Sequence, residues 1–184
     1  MKIWIFNPFD ELPWEGPEQR YATLAATLAA AGHTVVWWSS GFSHRRKVQR
    51  SVNPAVAAGL PYDVRLVAAP PYAKNISLRR VWNHWMYGRL LYRDAIAAVA
   101  GGDLAAPDVI LASLPPMEGP MAALRLRARF GCRVITDVMD AWPETLQLAL
   151  GGSLFLVLRC GVLPALCLLS SGFCLLDCFF LTRG

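Results

Sequence analysis

Lys2-Ile3-Trp4-Ile5-Phe6 is a short apolar run that passes through a Pro/Gly loop, ending Glu15-Gly16-Pro17-Glu18-Gln19-Arg20, into an Ala-rich stretch. That stretch stops at Gly32-His33, and a second apolar run follows, Val35-Val36-Trp37-Trp38. Tyr21, Leu24, Ala25, Leu28 and Ala29 fall at three- and four-residue spacing, the stripe of a helix packed on a sheet. Gly32 supplies the left-handed residue that ends such a helix. Strand, loop, helix and parallel strand in this order open a nucleotide-type α/β domain. The helix would aim its N-terminus, with unpaired N–H groups and partial positive charge, at the mouth of the sheet, where an anionic ligand is expected.

The pattern continues downstream. A polar loop, Ser39 to His44, leads into Arg45, Arg46, Lys47 and Arg50, and residues 51–61 read as an irregular connection. Asp63 to Val67 alternates like a strand and ends at Pro70-Pro71. Ser77 is placed to cap a long helix whose Val81, Trp82, Trp85, Met86, Leu90 and Ile96 are expected to form a broad buried face before Gly101-Gly102. Val109 to Ala112 is the next strand, Met121 to Phe130 a helix behind Pro120, and Arg133 to Val138 a further strand leading into Met139 to Glu144. Strands alternating with helices predict a Rossmann-like parallel sheet with helices on both faces. The right-handed crossover rule places Lys2–Phe6 centrally, between Val35–Trp38 and Val109–Ala112. Trp37, Trp38, Trp82 and Trp85 are read as core or interface residues.

A length of 184 residues favours one domain, and a net charge of +5 favours anionic partners. Nucleic acid is not expected, because the basic residues are not interleaved with aromatic ones as a stacking platform requires. The apolar stretch at residues 3–6 is too short for a secretory signal and is soon followed by Asp10, Glu11 and Glu15, which predicts a cytoplasmic body. Cys132 lies in the body, while Cys160, Cys167, Cys174 and Cys178 crowd the tail without a C-x-x-C pair or a nearby histidine, so no metal site is expected. From Leu148 to Gly184 the only charged residues are Arg159, Asp177 and Arg183. This hydrophobic Cys/Leu-rich tail has the length of a membrane segment, interrupted by Arg159, Pro164 and Gly172, and its narrow composition equally suits an out-of-frame reading of a GC-rich gene.

Phe6-Asn7-Pro8-Phe9-Asp10 through Arg20, Ala31-Gly32-His33 before a strand, Ser43-His44 after it, and Asp137-Val138-Met139-Asp140-Ala141-Trp142-Pro143-Glu144 together resemble the N-terminal half of family 4 glycosyltransferases. The resemblance covers residues 1–147. It implies the acceptor-side Rossmann-like domain of a GT-B fold. Such enzymes transfer a sugar from a nucleotide-diphosphate donor with retention, here to a saccharide or lipid-linked acceptor in polysaccharide or glycolipid assembly at the cytoplasmic membrane face. No cofactor is implied beyond the nucleotide sugar as co-substrate. The family's C-terminal half, with its nucleotide pocket and E-x7-E glutamates, has no counterpart in residues 148–184, so the chain reads as incomplete and inactive alone.

The resemblance assigns the donor-diphosphate loop to Glu15, Gly16 and Pro17. Gly16-Pro17 also suits a simple helix-starting turn, although a loop from Asn7 to Pro17 is longer than such a turn needs. His44 and Arg45, at the end of the second strand, are the acceptor-side candidates, whereas Arg46, Lys47 and Arg50 read as solvated surface charge. Asp140, Trp142 and Glu144 suit a cleft wall, by hydrogen bonding and stacking on a sugar, and equally suit the start of a helix behind Pro143. Many relatives carry a histidine after the fourth strand. Here that loop offers Ser113 and Glu118 instead, and no dedicated protein nucleophile is needed where catalysis is electrostatic. A membrane-anchored, non-catalytic binding module is the alternative reading.

Overall fold

The β-branched and aromatic runs identified above form strands because each places alternate side chains against helices on opposite faces of a sheet. The computed structural model describes residues 1–17 and 19–139. Asp140, Trp142, Glu144 and the 148–184 tail lie outside the described residues. The elements are β1 (Lys2–Phe6), α1 (Arg20–Ala30), β2 (Thr34–Ser40), α2 (Pro54–Ala57), β3 (Asp63–Val67), α3 (Leu78–Ala100), β4 (Val109–Leu114), α4 (Glu118–Phe130) and β5 (Arg133–Val138). The five strands lie in the order β3-β2-β1-β4-β5, and every pairing is parallel. This is a Rossmann-like α/β fold. β1 is central, with Ile5 opposite Trp37 of β2 on one side and Leu111 of β4 on the other. The chain reverses its winding between β1 and β4, which puts a topological switch point at the carboxyl ends of those strands.

Two cores follow from the strand alternation. Trp4, Phe6, Val36, Trp38, Ile110 and Ala112 face α3 and α4, meeting Tyr87, Leu91 and Ala95 of the first and Ala122, Ala123 and Leu126 of the second. Ile3, Ile5, Val35, Trp37 and Val64 face α1 through Tyr21, Ala22 and Ala25. Each large side chain buried this way contributes about 1.5–3 kcal/mol. Trp4 is fully enclosed, tilted against Trp38 at 5.5 Å and edge-on to Phe130 at 6.4 Å.

The structure corrects the reading of α3. Its buried residues are Asn83, Tyr87, Gly88, Leu91 and Ala95, while Val81, Trp82 and Trp85 are exposed. Leu90 and Ile96 pack partly buried against the core as expected, but in the first half of the helix the buried face is selected by closeness rather than by large apolar residues. A Cβ on Gly88 would lie 2.6 Å from Glu118 Cβ and 2.9 Å from the Glu118 carbonyl oxygen, so α3 and α4 touch where only glycine fits. Trp37 and Trp38 are buried as expected.

Smaller differences lie at element ends. Ser77 caps α3 as expected, its hydroxyl accepting from the Arg80 N–H at 3.3 Å. Within the stretch read as irregular, Asn53 accepts from the Val56 N–H and starts the single turn of α2. α4 begins at Glu118, upstream of Pro120, because a first helical turn needs no donor from proline. Gly131 ends α4 with φ 71°.

Candidate functional site

The loop between β1 and α1 is held by its own charges. Asn7 Oδ1 accepts from the N–H groups of Phe9 and Asp10 at 3.2 and 2.8 Å, and the Trp37 indole donates to the Asn7 carbonyl at 3.1 Å. The Asp10 carboxylate accepts from the Tyr21 N–H at 3.1 Å, so an internal anion already occupies part of the α1 N-terminus. Burial raises the Asp10 pKa, opposed by that N–H and by Arg20 and Arg50. Glu11 takes a two-pronged bond from Arg46, 2.9 Å from Nε and 2.8 Å from Nη2, and Arg46 also donates to the Glu15 carbonyl.

Arg50 is the anchor of this loop. Its side chain is fully buried, with Nε 3.2 Å from Glu15 Oε2, and it donates to the carbonyls of Pro8, Ser40 and Asp10 and to Ser39 Oγ. Sequence patterning placed Arg46 and Arg50 in a solvated run. The structure pairs both with glutamates, because a Pro/Gly loop of this length needs internal donors for its carbonyls. Of the donor-loop candidates, Glu15 is committed to Arg50 and the Leu12 N–H, while Gly16 and Pro17 are exposed. No atom lies within 4 Å of where a Gly16 Cβ would stand, so its backbone is open to approach.

Beside this loop, a narrow cleft opens at the carboxyl rim of the sheet. Pro8 and Phe9 follow β1, Phe42 and His44 follow β2, Tyr72 follows β3, Asn83, His84 and Tyr87 project from α3, and Pro116 follows β4. The Phe9 ring packs between two imidazoles, 5.2 Å from His44 and 5.6 Å from His84. His44 Nδ1 is hydrogen-bonded to the Tyr72 hydroxyl, and Lys47 Nζ stands 3.5 Å from the same nitrogen and 4.4 Å from the Tyr72 ring centroid. Arg80 Nε donates to His84 Nε2 at 3.4 Å. Asn83 donates to the Pro70 carbonyl at 2.6 Å and Tyr87 to the Trp38 carbonyl at 3.2 Å, which fixes α3 against the strand ends.

The electrostatics keep both rings neutral near pH 7. Burial, then Lys47 and Arg80, pushes His44 down to about 4. Burial, then Arg80 and His44, does the same to His84. A neutral imidazole offers one donor and one acceptor, suited to orienting hydroxyls.

The remaining candidates sit around this rim. Arg45 is exposed. Ser113 is fully buried at the end of β4, and its hydroxyl has no protein partner among the described residues. Glu118 opens α4 against Gly88, and burial raises its pKa. His84, Phe9, Tyr72 and Arg80 were not singled out from the sequence. Tyr21 and Arg20 both bind Asp137, at 2.6 and 2.8 Å, tying α1 to the end of β5. Among the described residues no group of three or more His, Cys, Asp or Glu side chains is placed to hold a metal.

The fold and rim define a Rossmann-like domain with a narrow cleft at its switch point. No protein-family description matches the sequence, and no curated protein matches it. Among solved structures, the chain is similar to the C-terminal domain of PF1911 hydrogenase from Pyrococcus furiosus, at 10% identity over 74% of this chain and 90% of that one, with a TM-score of 0.47. It is also similar to SsfS6, a glycosyltransferase of Streptomyces sp. SF2575, at 21% identity over 81% of this chain and 42% of that chain, TM-score 0.43. The SsfS6 structure complexed with thymidine diphosphate gives 23% identity, the same coverage and a TM-score of 0.43. The Rossmann-like assignment rests on the strand order and parallel pairing described above.

Proposed function

We propose that residues 1–147 are the acceptor-side domain of a GT-B glycosyltransferase resembling family 4, acting with a nucleotide-diphosphate sugar on a saccharide or lipid-linked acceptor at the cytoplasmic face of a membrane. The observation that carries this reading is the rim cleft, in which two neutral imidazoles flank the Phe9 ring. An apolar ring between hydrogen-bonding edges matches a pyranose, which has an apolar face and a hydroxylated rim. In this reading His44 and His84 orient acceptor hydroxyls, and the exposed backbone at Gly16 and Pro17 is the approach for the donor's diphosphate. The Arg50–Glu15 pair keeps that loop in shape. Holding the acceptor hydroxyl in one orientation is the domain's main contribution, since a positioned reactant avoids much of the entropic cost of the encounter.

The test is ligand-observed and protein-observed NMR of the 184-residue chain with neutral saccharides and nucleotide diphosphates. Shifts at Phe9, His44, Tyr72 and His84 support the reading, and saccharides that move none of them refute it.

A second reading, a membrane-associated binding module without turnover, is favoured by one observation. Ile76 and Leu78 are each 87% exposed, Trp82 52% and Trp85 42%, the two indoles stack at 4.9 Å, and Lys74, Arg79 and Arg89 flank them. Tryptophan beside basic residues suits an anionic bilayer surface. Among the described residues no helix is long and apolar enough to cross a membrane. Both readings use the same cleft, and sugar transfer by the protein together with a donor-binding domain separates them.

A further inference from the structure

The rim holds charge that the domain itself does not neutralise. Two other arginines of the rim loops have carboxylates, the exposed Arg46 with Glu11 and the buried Arg50 with Glu15. Lys47 and Arg80 have none among the described residues. Instead they converge on one residue, Lys47 Nζ donating to Asn75 Oδ1 at 2.6 Å and Arg80 Nη1 to the Asn75 carbonyl at 2.9 Å. Each lies beside an imidazole, Lys47 at His44 and Arg80 at His84. Mutual repulsion is visible in the ionisation of Lys47, lowered by burial and then by Arg80.

The imidazoles add donors. His84 Nε2 accepts from Arg80 Nε–H, which puts the proton of the neutral ring on Nδ1. His44 Nδ1 faces Lys47, a donor only, which puts that ring's proton on Nε2. Neither Nδ1–H of His84 nor Nε2–H of His44 has an acceptor among the described residues. His44 and His84 line the cleft, Lys47 and Arg80 stand beside these rings, and Tyr72 is the other polar neighbour of His44. Two cations without a carboxylate and two imidazole N–H groups without an acceptor make a cluster rich in donors, which a phosphate group satisfies.

We infer that Lys47, Arg80, His44 and His84 form a phosphate-binding subsite, so that the molecule taken by this cleft carries a phosphomonoester or diphosphate beside its sugar. This rests on the acceptor-side reading above and specifies the acceptor's chemistry. The phosphate could belong to a soluble sugar phosphate or to a lipid headgroup, which the test separates.

The experiment is calorimetric and NMR titration of the full 184-residue chain with inorganic phosphate, with glycerol phosphate, and with phosphatidylcholine vesicles containing or lacking phosphatidic acid. Saturable phosphate binding is expected, weakened at least tenfold by Lys47→Gln and by Arg80→Gln and less than twofold by Arg129→Gln, which removes the same charge from an exposed arginine in the last turn of α4. Arg80→Lys should retain binding, and with Lys47→Gln it decides the question if Arg80→Gln folds poorly. On saturation both histidines should titrate at least one unit above their free value of about 4. A response to glycerol phosphate equal to that of phosphatidic acid vesicles indicates the soluble source, and a response to vesicles alone the headgroup. Binding indifferent to Lys47→Gln and Arg80→Gln, or histidines that do not move, overturns the inference. If neutral saccharides still shift Phe9, His44 and His84 in that case, the acceptor-side reading stands and only the phosphate falls.

Discussion

Arg50 and Glu15 form an ion pair, Nε to Oε2 at 3.2 Å, in which the arginine side chain is fully buried and the glutamate nearly so. It joins the segment after β2 to the loop before α1, so the shape of the switch-point rim depends on it. Removing one partner strands the other charge. Arg50→Met should cost about 3–5 kcal/mol in urea unfolding. Arg50→Lys should recover little, since lysine cannot reproduce the fork that reaches Pro8, Ser40 and Asp10. The double variant Arg50→Met/Glu15→Leu should be less damaged than Arg50→Met alone. Equal stability of all variants would show the pair to be incidental.

Gly88 is the contact point of α3 and α4, where an added Cβ would stand 2.6 Å from Glu118 Cβ. The backbone carbonyl of Glu118 at 2.9 Å leaves no flexible atom to yield on that side. Gly88→Ala should therefore destabilise by about 1–3 kcal/mol despite alanine's better helix propensity. A melting temperature unchanged or raised in Gly88→Ala would contradict this packing.

His44 and His84 both have folded-state pKa values near 4, below the ordinary 6.5. The unfolded chain then binds more protons between these values, so their contribution to stability is present above about pH 6.5 and lost as pH falls toward 4. The groups facing His44 are Lys47, Arg80 and the Tyr72 hydroxyl, and those facing His84 are Arg80 and His44. Asp10 and Glu118, raised by burial, act in the opposite sense, favouring the folded state at low pH and losing that contribution as pH rises through their folded values. Unfolding free energy should drop between pH 7 and 5, and the drop should shrink in His84→Gln. A flat profile would refute the burial of the imidazoles.

Trp82 and Trp85 contribute little to the core, so Trp82→Ala/Trp85→Ala should change stability by about 0.5 kcal/mol or less. If the patch contacts a bilayer, the same variant should lose several-fold in binding to anionic vesicles while wild-type tryptophan fluorescence shifts to the blue. Unchanged vesicle binding would remove the membrane from the account.

Much of the frame was legible in the residues and less of the rim. Lys2–Phe6, Asp63–Val67 and Arg133–Val138 were readable as strands because short apolar or alternating runs between turn signals have few other solutions. The buried face of α3 was not, because Gly88 and Ala95 carry no hydrophobic signal and matter only through the closeness of α4. At the rim, His44 was accessible from its place after a strand. His84 and Arg80 were not, since the crossover helix brings them to the β1 and β2 ends through a fold no local pattern encodes. Arg50 was misread because buried and exposed arginines look alike in sequence, and its burial depends on the carbonyls it satisfies.

The central claim, an acceptor-side domain using the switch-point rim, is tested most directly by backbone and histidine NMR of the 184-residue chain titrated with saccharides, sugar phosphates and nucleotide diphosphates. The account predicts saturable shifts confined to Phe9, His44, Lys47, Tyr72, Arg80 and His84 for acceptor-like sugars, smaller shifts at Gly16 for nucleotide diphosphates, and no multiple-turnover transfer from these 184 residues alone. Sugar binding at the opposite end of the sheet, or sustained transfer of sugar by this chain without a partner domain, would contradict it.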